Sequence, residues 1–321
     1  MSVLESREQS RRERLARAYQ SLEGLCCGDA FGERFFIPEE VALSMIDRKA
    51  VPAPPWIFTD DTMMAISIVS TLEECEEIDQ HHLATSFARN YDPTRGYGPA
   101  MHGLLASIRQ RSGHWREEAR ALFGGQSSFG NGSAMRVAPL GAYFADDLDM
   151  VVEQAERSAV TTHCHPEAVA GAIAGALAAA LTWQHRNTPQ APTVSELLQQ
   201  VHQRTPASDV RRGIEKAMDL PKGTPVRAAV STLGNGSMVT AQDTVPFALW
   251  SAACHLNDYE EALWATVSGL GDRDTTCAMV GGVVVMYTGV RSIPKRWLDC
   301  REPIPRHMLK HCEMLSFTGK A

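Results

Sequence analysis

The segment HPEAVAGAIAGALAAALTW spans residues 165–183 and carries the clearest indication of secondary structure in the chain. Alanine has the highest helix propensity of all residues. Gly171 and Gly175 stand four residues apart, which places them on one face of a helix. Small residues at this spacing allow a second helix to approach closely. The segment therefore predicts a buried helix that packs against other helices.

Other long segments carry the same kind of pattern. Residues 62–72 are apolar on nearly all sides, which is typical of a central buried helix. Apolar residues recur with helical spacing over residues 15–26, and residues 260–270 and 275–287 predict two further helices. Alternation of polar and apolar residues is scarce, and no segment resembles an interdomain linker. We therefore predict one large all-α domain over residues 1–321, without a sheet.

Composition and charge restrict the functional classes. The 321 residues include 31 Lys and Arg and 38 Asp and Glu, so the formal net charge is −7. This composition is typical of a soluble globular protein, and its acidity argues against general nucleic-acid binding. The longest apolar runs, 168–181 and 278–290, are shorter than a membrane span. The eight cysteines form no C-x-x-C pair, so we expect reduced thiols, a cytoplasmic location and no membrane association.

Two acidic clusters stand at predicted helix starts. The first, TDDT at residues 59–62, directly precedes the apolar helix, and Asp and Thr are common N-caps. An N-cap requires only one such residue, whereas this motif has two adjacent carboxylates. A second interpretation is therefore a cation site, in which a bound cation neutralises the two negative charges. The second cluster, DRDT at residues 272–275, places two carboxylates two residues apart. Its Arg273 either pairs with them or points away.

The donor chemistry of the two clusters suits hard divalent cations. The clusters lie about 210 residues apart in the sequence. If the fold brings them together, four carboxylates share a small space and repel one another unless cations lie among them. All candidate ligands are oxygens of Asp and Thr, which favours Mg²⁺ or Mn²⁺ over zinc. Two such ions could position a water molecule against an electrophile.

Residues 124–136 (GGQSSFGNGSAMR) form a glycine-rich loop of a non-standard kind. The loop lacks the Gly-Lys-Ser/Thr ending of a P-loop, and no predicted strand precedes it as in a dinucleotide fingerprint. Because free N–H groups at a helix start bind diphosphates, a phosphate cradle and a plain loop both remain open. The nearby pair His163 and His165 lacks further ligands at metal spacing, so His163 is interpreted as a ligand contact or a satisfied loop histidine.

Five motifs, in order, resemble the ADP-ribosylglycohydrolase family, which includes the dinitrogenase reductase-activating glycohydrolases and the ADP-ribosyl-acceptor hydrolases. Residues 24–32 (GLCCGDAFG) resemble its opening G-x-x-x-G-D-A-x-G, and residues 59–62 match its T-D-D-T. Residues 130–136 (GNGSAMR) resemble its G-N-G-x-x-M-R, and residues 162–163 its T-H pair. Residues 271–275 (GDRDT) resemble the closing G-D-x-D-T.

The resemblance covers about residues 20–290 and implies an all-α orthogonal helical bundle that holds two Mg²⁺ or Mn²⁺ ions at the base of an ADP-ribose cleft. By carry-over, the metal ligands would be Thr59, Asp60, Asp61, Asp272, Asp274 and Thr275. The residues that contact ADP-ribose would be Tyr97, Gly98, Gly130, Asn131, Gly132, Ser133, Met135 and His163. The family hydrolyses the bond between the anomeric carbon of ADP-ribose and an acceptor atom. We expect an ADP-ribosylated protein side chain as substrate, with arginine favoured.

Two positions depart from the family pattern. Arg273 replaces the usual Thr between the closing aspartates and adds a cation beside the expected metals. Phe36 stands seven residues after the opening Asp, where many members carry a gating Glu. Glu33 is nearby and is our candidate substitute. The alternative is that Glu33 is a surface residue paired with Arg34.

The resemblance leads to a mechanism and leaves two alternatives. We expect the ions to bind the distal ribose and a water, and Asp61 or Glu33 to help deprotonate the water that attacks the anomeric carbon. J-type lens crystallins resemble the same family, so a non-catalytic ADP-ribose-binding or structural protein remains an alternative. A two-metal phosphoester hydrolase would instead cleave the diphosphate and release AMP. The choice between Mg²⁺ and Mn²⁺ and the oligomeric state are not indicated by the sequence.

Overall fold

The computed structural model describes residues 3–315, and this part of the chain is built from helices and loops. Its two isolated bridges, Trp56–Arg301 and Gly130–Thr240, form no sheet within the described residues. The all-α class predicted from the sequence is confirmed. The α-helices of the described range, numbered in chain order, are α1 (Val3–Glu33), α2 (Glu39–Asp47), α3 (Asp60–Cys75), α4 (Gln80–Arg89), α5 (Pro99–Gln110), α6 (Trp115–Ala121), α7 (Ala138–Tyr143), α8 (Leu148–Ala159), α9 (Pro166–His185), α10 (Val194–Arg204), α11 (Asp209–Met218), α12 (Val226–Leu233), α13 (Ala241–Cys254), α14 (Tyr259–Val267), α15 (Arg273–Thr288) and α16 (Lys295–Cys300).

Helix α15 lies at the centre of the molecule, in contact with α1, α3, α7, α9, α13 and α14. Its contact with α1 is backbone to backbone, because Gly24, Gly28 and Gly32 recur every four residues on the face of α1 that meets α15. A Cβ on Gly24 would lie 2.4 Å from the carbonyl oxygen of Gly281, and a Cβ on Gly32 would lie 2.2 Å from that of Arg273. The glycines of the opening motif are therefore a packing stripe.

The alanine-rich helix α9 is also buried, and it packs against α7, α8, α10, α13 and α15. A Cβ added to Gly171 would lie 3.0 Å from the Cβ of Ala241, so the predicted close approach of helices occurs here. The helix is longer than the apolar run at 168–181, and by length and composition it could span a membrane. However, 78% of its most apolar window is buried inside the protein, as in a core helix.

An aromatic cluster joins α1, α14 and α16 to the segment that precedes α3. Its members are Phe31, Phe35, Trp56, Trp264 and Trp297. The rings of Phe31 and Trp297 are stacked with centroids 4.4 Å apart. The backbone of Trp56 exchanges hydrogen bonds with Cys300 and Glu302. These contacts hold in place the segment that leads into residues 59–62.

Candidate active site

Asp29 anchors the first acidic motif to helix α1. Its fully buried carboxylate accepts hydrogen bonds from the backbone N–H of Thr59 at 3.0 Å and of Thr62 at 3.1 Å. The hydroxyls of the same two threonines donate to it at 3.0 and 2.5 Å. Burial raises the pKa of Asp29 to about 6, although these hydrogen bonds lower it. In the sequence, Asp29 is visible only as a member of the opening motif, and nothing there indicates this anchoring role.

The carboxylates of Asp60 and Asp61 stand in the first turn of α3, where the partial positive charge of a helix N-terminus favours them. Asp61 Oδ2 also lies 3.0 Å from Thr59 Oγ1, so the carboxylates of Asp29 and Asp61 share the one proton of this hydroxyl. Asp61 Oδ1 is buried and has no hydrogen-bond partner. The backbone N–H of Asp60 donates to the carbonyl of Arg95 at 2.7 Å, so the motif is held from outside the helix as well.

The second acidic motif occupies the start of α15 in the same way. Asn131 Nδ2 donates to Asp272 Oδ2 at 2.6 Å and to Thr244 Oγ1 at 3.0 Å, so the glycine-rich loop braces this carboxylate. Asp274 Oδ1, like Asp61 Oδ1, is buried without a partner. Thr244 was not identified from the sequence, because no motif marks its position on α13.

Arg273 points away from the neighbouring carboxylates. Its Nη1 donates to the carbonyl oxygen of Phe35 at 2.6 Å, and its guanidinium lies 5.1 Å from the centroid of the Phe36 ring. Of the two interpretations considered for Arg273, the structure therefore favours the one in which it leaves Asp272 and Asp274 unpaired. Arg273 instead ties the end of α1 to the start of α15.

The two acidic motifs share one electrostatic environment. Burial raises the pKa of Asp60 to about 7, with the charge of Asp29 as the next cause. Burial also raises the pKa of Asp61 and Asp274 well above the usual range, and the remaining aspartates add to both shifts. Within the described chain, no three His, Cys, Asp or Glu side chains are already gathered closely enough to hold an ion. The excess negative charge and the partnerless oxygens nevertheless fit a divalent cation.

Both motifs border one cleft of about 500 Å³. The predicted site residues that line it are Asp60, Tyr97, Gly98, Gly130, Asn131, Gly132, Met135, His163, Asp272, Asp274 and Thr275. Thr59 and Asp61 are buried and do not line the cleft. Ser133 does not line it either, and its hydroxyl donates a hydrogen bond to the carbonyl oxygen of Ala168 at 2.9 Å. The structure thus brings most of the predicted residues together and turns the side chain of Ser133 away.

Glu33 is the last residue of α1 and is partly buried. Burial raises the pKa of Glu33, the charges of Asp29 and Asp272 raise it further, and the charge of the neighbouring Arg34 lowers it. Among the ion pairs that the described residues form, none joins Glu33 to Arg34. Glu33 is not among the residues that line the cleft, so its role in the reaction stays a prediction.

The rim of the cleft is apolar, a feature not predicted from the sequence. Phe123 and Met238 are 59% and 71% exposed, and Phe129 and Val239 are also exposed at this rim. The backbone of Ala241 donates to Phe129, and that of Asn131 donates to Val239, so two loops form the rim together. The available signal was the second GNGS, at residues 234–237, which repeats the GNGS at 130–133.

Comparisons with known proteins agree with this arrangement. The family model of the ADP-ribosylglycohydrolases matches residues 10–316. The chain is 29% identical to the ADP-ribosylhydrolase ARH3 of Bos taurus, with 88% of each chain covered. It is 30% identical to an uncharacterised protein of Archaeoglobus fulgidus, covering 86% of this chain and 88% of that protein. A solved structure described as an ADP-ribosylglycohydrolase-related protein complex has the same fold, with a TM-score of 0.62 at 24% identity over 91% of this chain and 94% of that one.

Proposed function

The chain belongs to the ADP-ribosylglycohydrolase family, and from this premise we propose that it is a metal-dependent hydrolase that releases ADP-ribose from an ADP-ribosylated acceptor. One observation above all supports the proposal. Asp61 Oδ1 and Asp274 Oδ1 are buried carboxylate oxygens without a hydrogen-bond partner, and they belong to the two motifs beside one cleft. Burying such oxygens is costly unless a cation compensates them.

The groups that would hold two Mg²⁺ or Mn²⁺ ions are the oxygens of Thr59, Asp60, Asp61, Asp272, Asp274 and Thr275. These are hard donors, as both cations prefer. When bound, such cations supply electrostatic stabilisation of the negative charge that develops in the transition state. Asp29 and Asn131 would orient the ligands, because each holds a residue of one motif through hydrogen bonds.

The rest of the cleft offers groups that suit ADP-ribose. The backbone N–H of Gly132 stands in the first turn of the 3-10 helix Asn131–Ser133, where such groups lack a partner within the helix, and Gly132 lines the cleft, so this N–H is available to an oxygen of a diphosphate. The exposed rings of Phe123 and Phe129 at the rim offer an apolar surface for a nucleobase. The volume of about 500 Å³ lies in the range of small-molecule clefts.

The hydrolysis requires a proton acceptor for the attacking water. The water oxygen forms a bond to the anomeric carbon, the bond to the acceptor atom breaks, and the water proton passes through a carboxylate to the leaving group. Asp61 and Glu33 are the two candidates. Glu33 has the freer carboxylate, since Asp61 shares the hydroxyl proton of Thr59, whereas the described residues donate no hydrogen bond to the Glu33 carboxylate. Burial raises the pKa of Glu33, which favours its taking up a proton during the reaction.

We further propose an arginine side chain of a protein as the acceptor. An arginine guanidinium is cationic, and the negative charge that the aspartates of the cleft wall retain beside bound cations would attract it. Arg273 does not oppose this attraction from inside the cleft, because its guanidinium is directed to Phe35.

A hydrolysis panel tests the proposal. The protein is incubated with ADP-ribosyl-arginine, ADP-ribosyl-serine, O-acetyl-ADP-ribose and ADP-ribosylated nucleic acid, each with Mg²⁺, with Mn²⁺ and with a chelator. Released ADP-ribose is quantified. We expect cation-dependent release, greatest from the arginine conjugate, and at least about a hundredfold loss of activity in Asp274→Asn and Glu33→Gln. Glu40→Gln, at an exposed position of α2, is the matched control and retains activity.

The other outcomes are equally informative. Full activity of Asp272→Ala and Asp274→Ala in the chelator contradicts the metal-dependent mechanism. Binding of ADP-ribose without release from any conjugate contradicts the hydrolase and supports the non-catalytic alternative. Release of AMP indicates a phosphoester hydrolase instead.

A further inference from the structure

Arg136 is a fully buried cation that no carboxylate pairs with among the described residues. Its Nη2 donates to Thr162 Oγ1 at 2.9 Å and to the carbonyl oxygen of Ser158 at 3.3 Å. Its guanidinium lies 4.4 Å from the centroid of the Phe87 ring. A guanidinium can only donate hydrogen bonds, so Thr162 Oγ1 must act as the acceptor of this contact.

This contact determines the direction of the next hydrogen bond. Thr162 Oγ1 lies 2.7 Å from Nδ1 of His163. The hydroxyl has one proton, and the structure records Arg136 and His163 as its only contacts among the described residues. Arg136 cannot accept that proton, and the opposite direction of the contact with Nδ1 would leave the buried hydroxyl proton without an acceptor, so the favoured arrangement is the one in which the hydroxyl donates to Nδ1. His163 Nδ1 is therefore unprotonated, and the proton of the neutral ring resides on Nε2.

The protonated nitrogen is the one that faces the cleft. His163 lines the cleft, and its Nε2 makes no hydrogen bond with any described residue. Gly132 packs directly against the imidazole ring: a Cβ at this position would lie 3.0 Å from Nε2 and 2.9 Å from Cε1. Because glycine has no side chain, the ring fits beside the loop. Burial and the positive charge of Arg136 lower the pKa of His163 to about 3, so the ring stays neutral.

We propose that Arg136 and Thr162 are positioning residues that lock His163 in its Nε2–H tautomer, so that His163 donates a hydrogen bond to an oxygen of the ligand in the cleft. The ligand oxygen belongs to ADP-ribose, and in this respect the inference rests on the proposed function. The tautomer itself does not, because it is a property of the ligand-free protein. A neutral donor selects an oxygen acceptor without adding a charge beside the acidic motifs.

The tautomer is measured first, by ¹⁵N NMR of the imidazole nitrogens in the ligand-free protein. His163→Gln removes the His163 signals and so assigns them among the 11 histidines. We expect Nδ1 to show the shift of an unprotonated nitrogen and Nε2 that of a protonated one. In Thr162→Val, which removes the hydroxyl but keeps the shape, Nδ1 loses its donor and the protonated population of Nδ1 rises.

Binding of ADP-ribose is then measured by calorimetry. Thr162→Val should weaken binding about five- to tenfold, the loss expected for one well-formed hydrogen bond. Thr162→Ser retains the hydroxyl and should restore both the NMR shifts and the affinity. His163→Gln retains a neutral donor and should bind more tightly than His163→Leu, which has none.

Thr161→Val is the matched control. Thr161 is as buried as Thr162 and adjacent to it, but its hydroxyl donates to Ser158 and not to His163. This variant should keep both the tautomer and the affinity. A protonated Nδ1 in the wild type, or Nδ1 shifts that do not respond to Thr162→Val, overturns the inference. If the expected tautomer is found but ADP-ribose does not bind the wild type, the proposed function fails, and with it the role of His163 as a donor to ADP-ribose.

Discussion

Gly28 lies so close to the backbone of Cys277 that a Cβ on Gly28 would be 2.1 Å from the Cys277 carbonyl oxygen. Both residues are inside long helices, α1 and α15, so neither backbone can yield locally. Asp29 follows Gly28 directly, and Asp274 precedes Cys277 by one helical turn. This contact therefore sets the distance between the two halves of the acidic site.

Replacement of Gly28 by Ala should destabilise the protein by about 3 kcal/mol or more, because the added methyl group meets a carbonyl rather than a flexible side chain. The measurement is the free energy of unfolding from urea titration. Gly103→Ala is the matched control, since Gly103 lies in helix α5 with nothing within 4 Å of an added Cβ. That variant should gain up to about 1 kcal/mol from helix propensity. Equal stability of Gly28→Ala and wild type would contradict the close helix contact.

The anchoring role of Asp29 predicts a strong effect of Asp29→Asn. An amide has one acceptor oxygen, whereas the N–H and hydroxyl groups of Thr59 and Thr62 all donate to this side chain. Buried donors would lose their partner, so we expect a loss of about 3 kcal/mol in the free energy of unfolding. We also expect Mg²⁺ or Mn²⁺ to raise the Tm of the wild type, and this rise should be lost in Asp29→Asn, because Thr59 and Asp61 lose their fixed position.

Asp147→Asn provides the control for this substitution. Asp147 caps helix α8 by accepting hydrogen bonds from Asp149 and Met150 at 3.1 Å, and Asn caps equally well. Its stability should change by less than about 0.5 kcal/mol. A similar small change in Asp29→Asn would show that Asp29 is dispensable.

The pKa shifts predict the pH dependence of the cation-free protein. Asp29 and Asp60 have pKa values of about 6 and about 7 in the folded state, against 3.8 as the ordinary value. The folded state therefore binds more protons than the unfolded state between about pH 4 and pH 7, and the free energy of unfolding falls as pH rises through this range. In a chelator, Asp60→Asn should gain stability relative to wild type as pH rises from about 4 to about 7. A difference independent of pH would rule out the buried, uncompensated charge.

The orientation of Arg273 predicts that its role is structural. Arg273→Thr removes the hydrogen bond to Phe35 and the contact with Phe36, which should cost about 1 kcal/mol of stability. The Tm increase caused by Mg²⁺ or Mn²⁺ should remain, because the guanidinium does not face the carboxylates. Arg34→Thr, at an exposed neighbouring position, is the control. Loss of the cation-induced shift in Arg273→Thr alone would place the guanidinium at the metal site instead.

The sequence was sufficient to predict the all-α fold class and to identify the motifs. Helical spacing over residues 62–72 and the alanine-rich segment at 165–183 correspond to helices α3 and α9. The joining of the two acidic motifs could not be derived from their spacing, because it depends on the contact of α1 with α15. The spacing of Gly24, Gly28 and Gly32 indicates that α1 packs closely against another helix, but a four-residue glycine repeat does not identify which helix that is.

The directions of individual side chains could not be predicted from the sequence as well as the helices could. Arg273 had two directions compatible with its neighbours, and a carbonyl of another segment determines which one is adopted. Ser133 belongs to a motif that lines the cleft, yet its hydroxyl donates a hydrogen bond to the carbonyl oxygen of Ala168 in α9. Met238 and Val239 belong to a loop whose position at the rim depends on hydrogen bonds to residues 129–131. Each of these outcomes depends on contacts between segments far apart in the chain.

The packing of α1 on α15 also imposes an order on biosynthesis. About 240 residues separate Gly32 in α1 from Arg273 at the start of α15, and at roughly 5–20 residues per second the ribosome needs at least about 12 s to add them. During this interval the apolar glycine face of α1 exists without the helix that covers it. The nascent chain must therefore shield that face until the last quarter of the protein emerges, and a premature stop before α15 would leave it open to chaperones and proteases.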